Sequence, residues 1–136
     1  MTSKTRKGAT RRLTLKDAFE VEFARREMER RARDEAERKQ QEEDLARATQ
    51  LLEALQADAE FLAKRELTAD RRRYTVSIDH RDFRIAAYFE AGKASVTLSD
   101  KRTTTPGAAA PRKQLTVETL EDALAVMAQF LVDETR

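Results

Sequence analysis

The sequence predicts an α+β fold: a long charged and amphipathic helix of coiled-coil character, then a three-stranded antiparallel meander covered by a C-terminal helix, in the order α-β-β-β-α. Two observations carry this. Residues 15–67 contain no Gly and no Pro, and apolar side chains return at helical spacing at both ends of the stretch. Residues 74–98 then change period, alternating apolar and polar side chains in three short runs.

The first fourteen residues, MTSKTRKGATRRLT, hold five bases, no acid and no periodicity. They are expected to form a disordered basic arm. Thr14 stands where a helix N-cap belongs, with Asp17 three residues on to complement the exposed N–H groups.

A helix over 15–67 would reach about 80 Å at 1.5 Å per residue. Leu15, Phe19 and Phe23 recur every four residues and so line one face of it. Residues 25–44 are almost wholly polar, with acids four residues before bases in Glu22–Arg26, Glu27–Arg31, Glu29–Arg33, Asp34–Arg38, Glu35–Lys39 and Glu43–Arg47. Such pairs are individually weak, but in series they hold a solvated helical spacer. Helix propensity agrees, since Ala, Arg, Glu, Lys and Gln dominate. Apolar content returns with Leu45, Ala48, Leu51, Leu52, Leu55, Ala59, Leu62 and Ala63, an arc of roughly 120°, broad enough to pack on a sheet. Phe61 falls outside that arc and marks a second contact surface. No turn residue stands at Gln40-Gln41, where a fold-back hairpin would have to bend.

The compact module is assigned to residues 68–136, with 45–67 packing on it, because about 60 residues alone bury too little surface. TADRRR breaks the helix. Tyr74, Val76 and Ile78 alternate in a first strand, Phe83, Ile85, Ala87 and Phe89 in a second, and Ala94, Val96 and Leu98 in a third. His80-Arg81-Asp82 and Ala91-Gly92-Lys93 supply the turns, with Gly92 free to take positive φ. Residues 100–115 hold both prolines and are expected to be a flexible loop. Thr116 is expected to cap a last helix that covers the sheet with Val117, Leu120, Leu124, Met127 and Leu131.

The composition excludes several chemistries. Without Cys there are no disulfides or thiolate metal sites, and His80 is the only histidine. Glu42, Glu43 and Asp44 lack calcium-loop spacing and read as helix surface. With three glycines there is no phosphate loop or dinucleotide fingerprint. No catalytic residue, metal or cofactor is therefore expected, and the protein is read as a non-enzyme. No apolar run is long enough to cross a bilayer, and the first residues lack the hydrophobic segment of a secretory signal, so a cytoplasmic location without membrane partners is expected.

Charge is blocked: five bases and no acid over 1–14, eleven and fifteen over 15–67, ten and five over 68–113, one and five from 114 on. This points to charged partners or to opposite blocks of two copies meeting. Arg6, Lys7, Arg11, Arg12, Arg71, Arg72 and Arg73 are the candidate nucleic-acid contacts. The order helix–three strands–helix resembles the double-stranded RNA-binding domain, with Asp79-His80…Phe83 echoing that family's histidine-containing loop. That family opens its last helix with a basic run; here Thr116–Asp122 is acidic, which would repel phosphate.

The reading that follows is a protein-interaction adaptor. Leu15, Phe19 and Phe23 are the expected partner-docking anchors. Leu45, Leu52, Leu55 and Leu62 are the expected self-association contacts, making a homodimer. Nucleic-acid binding or nucleoprotein association through the arm and Arg71–Arg73 is the alternative.

Overall fold

The structure of the chain, a computed structural model, describes residues 12–102 and 110–135. Its elements are α1 (Leu15–Gln56), α2 (Ala59–Lys64), β1 (Thr68–Arg72), β2 (Thr75–Asp79), β3 (Phe83–Glu90), β4 (Lys93–Asp100), β5 (Ala110–Val117) and α3 (Leu120–Thr135). The class is α+β, with a long N-terminal helix, an antiparallel sheet and a C-terminal helix. The sheet has five strands, not three, in sequence order β1-β2-β3-β4-β5. The chain divides into two compact units, residues 1–38 and 39–136.

In the first unit, Thr14 caps α1: its Oγ1 accepts from the Asp17 N–H at 3.1 Å. The residues that follow are held by ion pairs on the helix surface. Arg25 bridges Glu22 (2.5 Å) and Glu29 (2.7 Å), and Arg26 reaches Glu22 at 2.7 Å. Arg30 bridges Glu27 (2.9 Å) and Asp34 (3.2 Å), and Arg38 pairs with Glu35. Glu22–Arg26 forms as the acid-first spacing expects. Arg25 and Arg30 instead each span a carboxylate on either side, three residues behind and four ahead. The helix assignment runs through Gln40 and Gln41 without a break.

In the second unit the sheet is covered on one face. Strand alternation sends Val76, Ile78, Phe83, Ile85, Ala87, Phe89, Ala94, Val96 and Leu98 to that face, and all are buried. Ala48, Leu51 and Leu55 of α1, Leu62 of α2, Leu67, and Ala123, Val126, Met127, Phe130 and Leu131 of α3 complete a single core. The other face carries Thr75, Ser77, Asp79, Arg84, Ala86, Ser95 and Thr97.

The helix expected over 15–67 ends at Gln56 and restarts at Ala59. Its final stop is a Schellman motif made without glycine. Leu67 N–H donates to Leu62 O at 2.9 Å and Glu66 N–H to Ala63 O at 3.1 Å, while Glu66 takes φ of 57°. Leu67 and Leu62, the hydrophobic pair of that motif, are both buried.

Two strands escaped the alternation. In β1 the TADRR run expected to be a break pairs with β2, Arg72 opposite Thr75 across a tight turn in which Arg73 has φ of 53°. In β5 the segment expected as loop pairs with β4 from Ala110 to Val117, with a register shift at Leu98/Ser99. Residue 100 belongs to β4, and 103–109 lie outside the described residues. Five strands also remove the element order on which the likeness to the double-stranded RNA-binding domain rested. Thr116, expected to cap the last helix, lies in β5, and Thr119 caps α3 instead, its Oγ1 accepting from Asp122 N–H at 3.0 Å.

The β3–β4 turn is closed by Ala91 and Gly92, both at positive φ (52° and 81°), as a type I′ hairpin requires. Asp44 secures it. This carboxylate, 4 % exposed, accepts from Ala91 N–H and Gly92 N–H at 3.0 Å each and from Gln40 Nε2 at 3.1 Å. Arg47 Nη1 donates to Gly92 O at 2.5 Å. The reading of Asp44 as helix surface is therefore corrected: it is the polar bolt between α1 and the hairpin.

Candidate docking surfaces

The N-terminal part of α1 exposes a row of apolar side chains. Leu15 is 87 % exposed, Phe19 63 % and Phe23 58 %, and the two rings stack at 5.8 Å between centroids. Leu13, Val21 and Met28 are exposed nearby in sequence. Single exposed apolar residues are ordinary, but a row at i, i+4 and i+8 is the anchor pattern of a helix that lies in a groove. Glu22, one residue before Phe23, is already engaged. Hydrogen bonds from Arg25 and then Arg26 hold the Glu22 carboxyl down to about 2, from an ordinary value of 4.5. Arg30 likewise holds Glu27 below its usual range. This part of the helix carries its own ion pairs, and its two rings, stacked on each other, stay more than half exposed.

The second unit carries an apolar groove of about 530 Å³ between α2 and α3. Asp58, Phe61 and Arg65 border it on the α2 side, Leu124, Ala128 and Val132 on the α3 side, and Ile78, Leu62 and Met127 are buried in its floor. Phe61 and Val132 remain 45 % and 51 % exposed, and the Arg65 guanidinium lies 5.5 Å over the Phe61 ring. Phe61, outside the apolar arc of the sequence, lies at the border of this groove.

A second hollow, about 400 Å³, lies on the open face of the sheet, against Asp70, Arg72, Ser77, Asp79 and Arg84. Its charges answer one another. Asp79 pairs with Arg84 at 2.6 Å and Lys101 at 2.9 Å, and accepts from Ser77 Oγ at 3.0 Å. Burial pushes the Asp79 carboxyl up, but the bonds from Arg84, Lys101 and Ser77 outweigh it and hold the carboxyl below its usual value. A carboxylate so neutralised is a poor general base.

His80 is a turn residue with its Nδ1 engaged by the backbone. Its Nδ1 accepts from Asp82 N–H at 3.0 Å, and its ring stacks on Phe83 at 4.7 Å. Among the described residues no group of three or more His, Cys, Asp or Glu is placed to hold a metal ion. Among them, too, no helix is long and apolar enough to cross a membrane.

The four leucines expected to drive self-association do not share an open face. Leu55 and Leu62 are each 8 % exposed within the chain's own core, Leu52 packs against that core, and Leu45 is exposed. The arginine cluster is split as well. Arg71 and Arg72 point to opposite faces of β1, as successive strand residues must, and Arg73 sits in the turn. Arg71 Nη1 donates to Arg73 O at 3.0 Å, and Arg72 lies 3.9 Å from Asp70. Arg6, Lys7 and Arg11 lie outside the described residues, and Arg12 is exposed.

Sequence reasoning missed Asp44 and the α2–α3 groove. Asp44 had a signal: a carboxylate in the apolar stripe, one turn before Ala48 and two before Leu51. The groove had only Phe61. No protein-family model, curated protein or solved structure matches this chain.

Proposed function

We propose that this protein is a non-enzymatic adaptor that docks a protein partner through Leu15, Phe19 and Phe23. The observation that carries the reading is the exposed, stacked Phe19–Phe23 pair on a helix that carries its own surface ion pairs. Burying two such rings in a groove supplies most of the energy of a helix-sized contact, because aromatic anchors dominate interfaces. The neutralised hollow on the sheet face and the structural role of His80 give no comparable support to catalysis. The divided arginines give little to a nucleic-acid contact.

The test is the double substitution Phe19→Ala and Phe23→Ala. Partner capture should be lost while the urea midpoint of the second unit stays where it was. Undiminished capture would sink the docking role.

A further inference from the structure

We propose that the apolar groove between α2 and α3 receives the Leu15–Phe23 helix end of a second copy of this chain, joining copies head to tail. The proposal rests on the docking role assigned above to that helix end.

The dimensions agree. At 1.5 Å per residue the α3 wall from Leu124 to Thr135 extends about 16 Å, and Leu15 to Phe23 spans about 12 Å. A groove of about 530 Å³ is in the size range that takes a few large side chains. The half-exposed Phe61 ring and Val132 offer apolar surface at its mouth for the incoming phenylalanines.

The charges agree too. At 100° per residue, Lys16 and Glu20 fall on one flank of the Leu15–Phe19–Phe23 row. The groove presents Asp58 and Arg65 on its α2 side. The order of charges, a base then an acid on the helix end and an acid then a base along the groove, favours this occupant with its Lys16 end toward Asp58.

The buried area sets the strength. Two rings about three-fifths exposed and a leucine can bury about 400 Å² on the helix side, so both surfaces together lose about 800 Å², the size of a weak, transient contact. Association is then weak and reversible. Because the row and the groove are different surfaces, each copy offers one of each. The contact joins unlike surfaces, and it builds open chains or closes into rings, the smallest of them a reciprocal pair. Buried Leu55 and Leu62 then serve self-association from within, as wall and floor of the receiving site.

The experiment is mass by sedimentation over a dilution series from about 1 µM to about 1 mM. The full chain should grow in mass with concentration. Phe19→Ala with Phe23→Ala should raise the concentration needed by about a hundredfold. Ala128→Arg, at an exposed position in the groove, should do the same with an unchanged melting curve. Val132→Glu serves if the arginine perturbs the fold.

Mixing the two kinds of variant in equal amounts should restore a dimer and nothing larger, since each pair then holds one intact helix end and one intact groove. A full chain that stays monomeric throughout overturns the proposal. So does a groove variant that associates like the parent, or a mixture that stays monomeric. If self-association is absent but Phe19→Ala with Phe23→Ala still abolishes capture of a different protein, the docking role stands and the groove assignment falls. If neither readout moves, both fall.

Discussion

Replacing Asp44 by Ala should be among the most destabilising single changes in the second unit, although Asp44 belongs to an acidic run on a charged helix. The carboxylate is 4 % exposed and accepts two backbone N–H bonds at 3.0 Å, from Ala91 and Gly92, besides the Gln40 amide. Hydrogen bonds to a charged acceptor are worth about 1.5–3 kcal/mol each, and deletion leaves both turn amides without that acceptor. Two terms offset this: a buried carboxylate no longer has to be desolvated, and Ala91 is exposed, so water can reach its amide. The net loss expected is about 2–4 kcal/mol.

Asp44→Asn should lose part of this, because one oxygen remains while its amide group faces the second donor. Glu43→Ala, one residue away on the exposed side, should change stability by no more than about 0.5 kcal/mol. Urea unfolding reads all three, and hydrogen exchange at the Ala91 and Gly92 amides should quicken in Asp44→Ala. A loss equal to that of Glu43→Ala, with exchange unaltered, would refute the bolt between α1 and the hairpin.

Glu66 holds φ of 57° at the Schellman stop, where a side chain costs about 1–2 kcal/mol, so Glu66→Gly should raise stability by about 1 kcal/mol in the same assay. A loss of stability would mean that the left-handed stop is not populated. Glu22 titrates at about 2 against an ordinary 4.5, so its ion pairs are fully present above pH 4.5 and are lost as pH falls toward 2. Carboxyl NMR of Glu22 should show that low midpoint, moving upward in high salt; a midpoint near 4.5 at low salt contradicts the pairing with Arg25 and Arg26.

The class of the fold and most of its core were legible in the sequence, because they rest on period alone. Val76 to Leu98 alternate and lie on the covered face, and Leu51, Leu55 and Leu62 are drawn onto it as the broad apolar arc implied. The edge strands were not legible, for a physical reason. An edge position facing the core need not be apolar: Arg71 opposite Val76 and Lys113 opposite Leu98 fill such slots, with Lys113 reaching Asp133 at 2.7 Å and the face of Phe130 at 6.0 Å.

Pro111 argued against a strand, yet an edge tolerates it. The stop before β1 was hidden because Glu66, not Gly, takes the left-handed residue. The clasp of Arg102 and Arg112 on Glu134, both at 2.7 Å, joins residues 22 or more positions apart and leaves no periodic trace. Of the docking surfaces, the row at Leu15, Phe19 and Phe23 was visible from its spacing. The groove was not, because its walls come from two helices whose pairing no local pattern records.

The most direct measurement is the unfolding free energy of the Phe19→Ala, Phe23→Ala chain beside that of Phe130→Ala, whose ring is 7 % exposed in the core. Docking through the row predicts a change within about 0.5 kcal/mol for the helix-end pair and a loss of about 3–5 kcal/mol for Phe130→Ala. A loss of core size from the helix-end pair would show that those rings are interior packing, and the docking role would end there.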